Sequence, residues 1–418
     1  MSNHEFGGFD VDAITDVVRQ PSLDDLMSVA QSRRRRRAGG MTLALVVVFA
    51  AMAVVPLTAG RGQDGWTRPA PPPPARARGG EVFLTGPDSG VAVHNSTCAI
   101  RFAHTRDGGV SWTDYDAARY QATSCRADGY GGEEADLEFA VLSDRSYLIR
   151  DGVLLRLSTD YGRSWREAAQ AMVAVTAFPT QARAVFSQDS GSVIQQPLAV
   201  DPTTGTVYQL SGEPPSPSRP RSIYPTADGA IWVTYWPGGL DVMLVARSVD
   251  RGATWTTWQP AKGADVRAVV GIDKQEAYLL VDPPAPPGTP PTAVAGPVQL
   301  LRTTDGGRSW ADVGTDLPDT QEMLRITVGA DGALLVAESD TFTPESTPPP
   351  TFTSRLWTSQ DEGRHFTNVQ AYRRNDGGIG ASPGLAWLYG RDDMTVSGAD
   401  HVLFTSDGRT WTRFPLPD

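Results

Sequence analysis

The chain has 418 residues, of which 42 are Gly and 33 Pro, with 40% hydrophobic and 20% charged residues and a formal net charge of −11 at pH 7. That balance suits many short strands joined by turns and argues against a helical bundle. From Gly80 onward 27 basic residues face 41 acidic ones, a formal charge of −14, which disfavours a nucleic-acid partner because phosphate contacts need clustered cations. The length exceeds an ordinary domain, yet one repeat domain accommodates it, since each repeat adds its own slice of core.

Residues 1–37 contain two short amphipathic stretches, Val11, Ile14, Val17 and Val18, then Leu23, Leu26, Met27 and Ala30, separated by Pro21. Neither is long enough to be a stable helix alone, so this part reads as a cytoplasmic tail. Residues 38–60 carry no charge and, at about 1.5 Å per residue, suffice for a transmembrane helix across a hydrocarbon core of about 30 Å. The arginine run from Arg33 to Arg37 favours keeping the N-terminus in the cytoplasm. A cleaved signal peptide is the rival reading, but the long acidic lead-in and the poor cleavage site Leu57-Thr58-Ala59 favour an anchor. Residues 61–79 include the run RPAPPPPARAR and are expected to form an extended, semi-rigid stalk. The remaining residues, 80–418, are then extracytoplasmic at the plasma membrane. Cys98 and Cys125 both fall beyond the span, where one disulfide is expected and two free thiols are the alternative.

Five segments align without gaps: TRDGGVSW from Thr105, STDYGRSW from Ser158, SVDRGATW from Ser248, TTDGGRSW from Thr303 and SQDEGRHF from Ser359; a sixth, TSDGRTW from Thr405, is one residue shorter. The pattern is Ser/Thr, x, Asp, x, Gly, x, Ser/Thr, Trp/Phe, between two strand-like runs. The Asp can accept backbone N–H groups across a tight turn, the Gly tolerates positive φ, and the aromatic is expected to pack back over the hairpin. The residues in these roles are Asp107, Gly109 and Trp112; Asp160, Gly162 and Trp165; Asp250, Gly252 and Trp255; Asp305, Gly307 and Trp310; Asp361, Gly363 and Phe366; and Asp407, Gly408 and Trp411. One carboxylate per copy falls far short of the roughly six to eight oxygens that calcium takes, so the repeat reads as structural.

These motifs resemble the Asp-box, or bacterial neuraminidase repeat, of sialidases, sortilin-type receptors and photosystem assembly factors. The resemblance implies a β-propeller of four-stranded blades, with each repeat on the turn between the third and fourth strands. The aspartates are spaced by 53, 90, 55, 56 and 46 residues. The doubled step leaves room for a blade without a repeat, pairing PLAVD with TVYQL across Asp201–Gly205. Seven blades follow, with six as the alternative. Proline-rich insertions from Asp282 and from Asp340 precede the third strands of adjacent blades.

A sialidase relative is expected to carry three substrate-binding arginines, the first in an Arg-Ile-Pro motif, with a Tyr–Glu nucleophile pair and an Asp acid/base. Here the nearest match, Ile100-Arg101-Phe102, lacks the Ile-Pro and reads as strand. The acidic run Glu133, Glu134, Asp136 and Glu138 could supply paired carboxylates but has no positioned partner and reads as a solvated loop. His94, His104, His365 and His401 show no metal-ligand spacing, and no cofactor motif is present. The expectation is a non-catalytic, membrane-anchored cell-surface propeller that binds a protein or glycan or assists envelope assembly. An exo-sialidase-like glycoside hydrolase with diverged catalytic residues is the alternative.

Overall fold

The computed structural model describes residues 81–417 except 97, 124, 128–132, 135–136, 189–192, 237–242, 285–296, 319–322, 340–351, 375–377 and 393–398. The expected tail, span, stalk and the bulk of both proline-rich insertions lie outside the described residues. Among the described residues no helix is long and apolar enough to cross a membrane.

The protein is all-β, with seven four-stranded sheets in succession, one of them extended by a fifth strand, as in a seven-blade propeller. Blade I is Glu81–Leu84, Gly90–Ser96, Ala99–Thr105 and Arg119–Gln121. Blade II is Leu137–Val141, Tyr147–Asp151, Leu154–Ser158 and Arg166–Glu167. Blades V, VI and VII repeat the same antiparallel order, starting from the inner strands Asp265–Gly271, Met323–Val328 and Ile379–Ser382.

Blade III is the one without a repeat, and it departs from the simple order. Leu198–Val200 pairs with Val207–Leu210 across Asp201–Gly205 as the sequence predicts. Its outermost strand, however, is Val173–Val175, which comes earlier in the chain and runs parallel to Val207–Leu210. Its inner strand is Arg183–Ala184. The residues that follow, Ser187–Gln188, leave blade III and pair with Ser222–Ile223 as an extra innermost strand of blade IV, which continues through Pro220–Pro225, Ile231–Tyr235, Leu244–Ser248 and Thr256–Trp258.

Middle strands are mostly apolar on both faces rather than alternating, because both faces of each blade are covered by neighbours. Ile231–Tyr235 and Leu334–Ser339 are buried at every position, whereas Arg166–Glu167 and Ala311–Asp312 on the outer edge are exposed. Apolar packing runs from blade to blade. Phe102 of blade I meets Tyr147 of blade II, Leu157 and Leu198 share one cluster, and Val245, Leu279 and Ile326 join blades IV to VI. Leu335 meets Leu388, and Trp387 and Phe404 pack with Val82 and Leu84 to bring blade VII against blade I. Each fully buried Leu, Ile or Phe contributes about 1.5–3 kcal/mol.

Cys98 and Cys125 are joined in a disulfide with Cα atoms 5.7 Å apart, tying the start of the third strand of blade I to the chain just after its fourth.

Candidate functional site

All six repeats sit on the hairpin between the third and fourth strands of blades I, II, IV, V, VI and VII. In the first, the Thr105 hydroxyl donates to Asp107 Oδ1 at 2.7 Å and accepts from the Gly109 N–H at 3.3 Å, while Asp107 also accepts from the Ser111 N–H at 2.9 Å and the Ser111 hydroxyl at 2.5 Å. Asp160, Asp250 and Asp305 repeat this set with Ser164, Thr254 and Ser309. The shorter sixth copy keeps the same logic one residue closer, the Thr410 N–H reaching Asp407 at 2.7 Å. In the fifth copy His365 replaces the hydroxyl residue, and its Nδ1 lies 2.5 Å from Asp361.

The aromatic of the repeat does not fold back over its own hairpin alone, as the sequence suggests; it turns to the preceding blade. Trp112 donates its Nε1–H to Pro415 O of blade VII at 3.1 Å, Trp165 packs on Phe102 and Tyr120 of blade I, and Trp310 packs on Trp232 and Trp258 of blade IV. The repeat thus locks a turn and clamps two blades. The fourth repeat position has a matching role. Where it carries a side chain it holds a left-handed backbone, at Tyr161, Arg251 and Glu362, and reaches the preceding blade: Arg251 donates to Pro179 O at 2.8 Å, and Glu362 pairs with Arg302 at 2.6 Å.

These hydrogen bonds stabilise the charged carboxylates. The Ser111 contacts foremost hold Asp107 at a pKa of about 2, and backbone N–H groups foremost hold Asp407 at about 2. Asp160, Asp250, Asp305 and Asp361 are lowered as well. A depressed folded pKa stabilises the fold above the unfolded value near 3.9 and is lost as pH falls through the folded value. Acid titration followed by tryptophan fluorescence is therefore expected to show unfolding between about pH 4 and about pH 2; unfolding complete by about pH 5 would contradict this account of the turns. The pKa of His365 is raised, first by its hydrogen bond to Asp361. Its contribution has the opposite sign, full below about pH 6.5 and lost as pH rises through the folded value.

The inner strands surround a cavity of about 1890 Å³. Its wall includes Glu81, Phe139, Asp144, Gln188, Arg325 and Tyr389, drawn from four blades and the extra strand. The side chains there are largely committed to backbone of other blades. The Gln188 amide donates to Ile326 O at 2.6 Å and accepts from Ile326 N at 3.2 Å; the Tyr224 hydroxyl lies 2.9 Å from Thr327 Oγ1; and Tyr389 receives the Val82 N–H at 2.6 Å. Thr327 in turn donates to Ser382 O at 2.8 Å. The Glu81 carboxylate remains accessible from the cavity, yet its crowded surroundings raise its pKa, with Arg325 pulling the other way.

The remaining sequence candidates are scattered. Arg101 lies in the third strand of blade I, 3.4 Å from Asp116. Glu133–Glu134 form a small strand paired with Arg126–Ala127, Asp136 lies outside the described residues, and Glu138 is 3.5 Å from Arg150. Asp392, Asp400 and His401 bring three ligand-type atoms within 4.8 Å of one another, but Arg413 is 2.7 Å from Asp392 and supplies the positive charge there itself.

No protein-family model and no curated protein matches the sequence. Similar solved structures include PorZ, a surface component of the type-IX secretion system of Porphyromonas gingivalis (10% identity over 82% of this chain, TM-score 0.39). An ancestral GH74 enzyme (10% over 80%, TM-score 0.38) and a Hadza microbial sialidase (18% over 66%, TM-score 0.31) are others. This chain spans 38%, 44% and 54% of those structures respectively. The class defined by this chain's own sheets and turns is an all-β protein of seven propeller-like sheets.

Proposed function

We propose that the protein is a membrane-anchored, extracytoplasmic binding propeller that receives an extended polypeptide segment in its central cavity and performs no chemistry on it. The supporting observation is how the inner strands are used. Ser187–Gln188 joins blade IV as an added strand inside the ring, and Gln188 offers an amide to Ile326 as a peptide group would. The cavity thus already accommodates chain in β conformation, the mode by which sheet edges take peptides. The inner strand of blade II, Leu137–Val141, presents a mostly apolar edge to the same cavity, and all five of its residues are half-buried. Pairing there would supply main-chain hydrogen bonds for affinity and pockets for alternate side chains for selectivity.

The test is an array of short peptides offered to the purified full chain in detergent. Binders are expected to lose about tenfold or more in affinity when alternate backbone amides are N-methylated, because edge pairing needs the N–H groups. Binding indifferent to N-methylation, or recognition confined to glycans, would contradict the proposal.

A further inference from the structure

Blades I and II meet at Tyr161, the fourth residue of the second repeat, whose backbone holds φ 66°. A tyrosine is rarely kept in that region unless its side chain has a task, since the conformation costs about 1–2 kcal/mol. The Tyr161 ring stacks on His104 with centroids 4.5 Å apart. Three guanidinium carbons surround the same ring: Arg106 and Arg145 each at 5.2 Å from its centre and Arg163 at 5.8 Å.

Direct ion pairing here is sparse. Among the described residues the ion pairs of this group reduce to one, Asp144 accepting from Nε and Nη2 of Arg106 at 2.9 and 2.5 Å. Both oxygens of nearby Asp160 are committed to Ser158 and Ser164 within its own turn. Arg106 Nη2 also donates to the Tyr161 hydroxyl, and Arg145 gives Nε to Thr159 O and Nη1 to Thr203 O. A guanidinium carries five N–H donors. Nη1 of Arg106, Nη2 of Arg145 and the exposed head of Arg163 therefore retain N–H groups without a hydrogen bond among the described residues. His104 adds no charge at neutral pH, since burial first, and then Arg106, lower its pKa.

The corresponding junction of blades V and VI shows the balanced version. There the residue at the place of Tyr161 is Glu362, the one at the place of His104 is Arg302, and that single arginine holds both Glu276 and Glu362. There Arg302 is paired on both sides and Arg364 also lies 3.8 Å from Glu362, whereas at the junction of blades I and II Arg106 has one carboxylate within ion-pair distance and Arg145 and Arg163 have none among the described residues. In a domain with a formal charge of −14 from Gly80 onward, this junction gathers three guanidiniums around one ring with donors to spare.

We propose that the blade I–II junction binds a phosphate group, held by Arg163 together with the remaining donors of Arg106 and Arg145 beside the Tyr161 ring. Guanidiniums suit this group because their paired N–H donors match its oxygens. The site lies at the repeat turns and is independent of the peptide proposal, although Asp144, which holds Arg106, also lines the central cavity.

The experiment is calorimetric titration of the full chain with inorganic phosphate, against sodium chloride at matched ionic strength. Arg163→Gln removes the exposed arginine without touching the core. Arg308→Gln changes the arginine at the same place in the blade V turn and serves as the control. Saturable phosphate binding in the unmodified protein, weakened about tenfold by Arg163→Gln and unchanged by Arg308→Gln, is the expected result. Absence of saturable binding, or equal weakening by both substitutions, overturns the proposal.

Discussion

Replacing Gly109 by alanine is expected to destabilise the protein by about 3 kcal/mol. Gly109 is buried with φ +82°, and a Cβ there would lie 2.5 Å from Pro415 O and 3.1 Å from Pro415 Cδ. The left-handed backbone costs an alanine about 1–2 kcal/mol, and the forced separation from a main-chain carbonyl adds about 1–3 kcal/mol. The location magnifies the consequence. Among the described residues blades VII and I exchange no strand, so their seam is held by side chains and a few hydrogen bonds, among them Trp112 to Pro415 O and Val82 N–H to Tyr389. Gly152→Ala is the matched comparison: its φ is +60°, but nothing lies within 4 Å of an added Cβ. It should cost only the backbone strain, about 1 kcal/mol. Denaturant midpoints of the two variants measure the difference, and equal losses would mean that the turn does not clamp the seam.

Removing the disulfide by changing Cys98 and Cys125 together to serine is expected to cost about 3–4 kcal/mol. The two residues are separated by 27 positions, and opening that loop restores chain entropy to the unfolded state. The effect should begin in blade I, because the bridge joins the approach to its third strand with the chain just past its fourth. Hydrogen exchange is therefore expected to rise first in Ala99–Thr105 and Arg119–Gln121. Exchange rising uniformly over all blades would show that the bridge stabilises no particular part. Reduction of the unmodified protein provides the companion measurement and should reproduce the loss.

The ring of sheets was legible because the repeat is local. Ser/Thr, Asp, Gly and an aromatic within one turn make a pattern that survives in a single sequence, and the doubled spacing between Asp160 and Asp250 marked the blade between them. What the sequence did not disclose are arrangements made by very short or distant pieces. Val173–Val175 and Ser187–Gln188 are too short to show a strand period, so the parallel return in blade III and the added strand in blade IV had no signal. The fourth repeat position looked variable, yet Tyr161, Arg251 and Glu362 differ because each meets a different residue of the preceding blade. The same is true of the aromatics. That Trp112 faces Pro415 follows from closing the ring and from nothing near either residue. The cavity was hidden for a similar reason, since its wall takes a few residues from each of several inner strands and forms no motif. Among the described histidines, His104 comes to lie at an arginine-rich junction, through its stacking on Tyr161.

Binding without chemical transformation in the cavity is checked by offering fluorogenic sialosides and neutral glycosides to the purified full chain and measuring released sugar by mass. No turnover above that of the heat-denatured protein is expected. Turnover that tracks the folded protein and disappears in Tyr224→Phe or Tyr389→Phe would contradict it and establish a glycosidase with a diverged site.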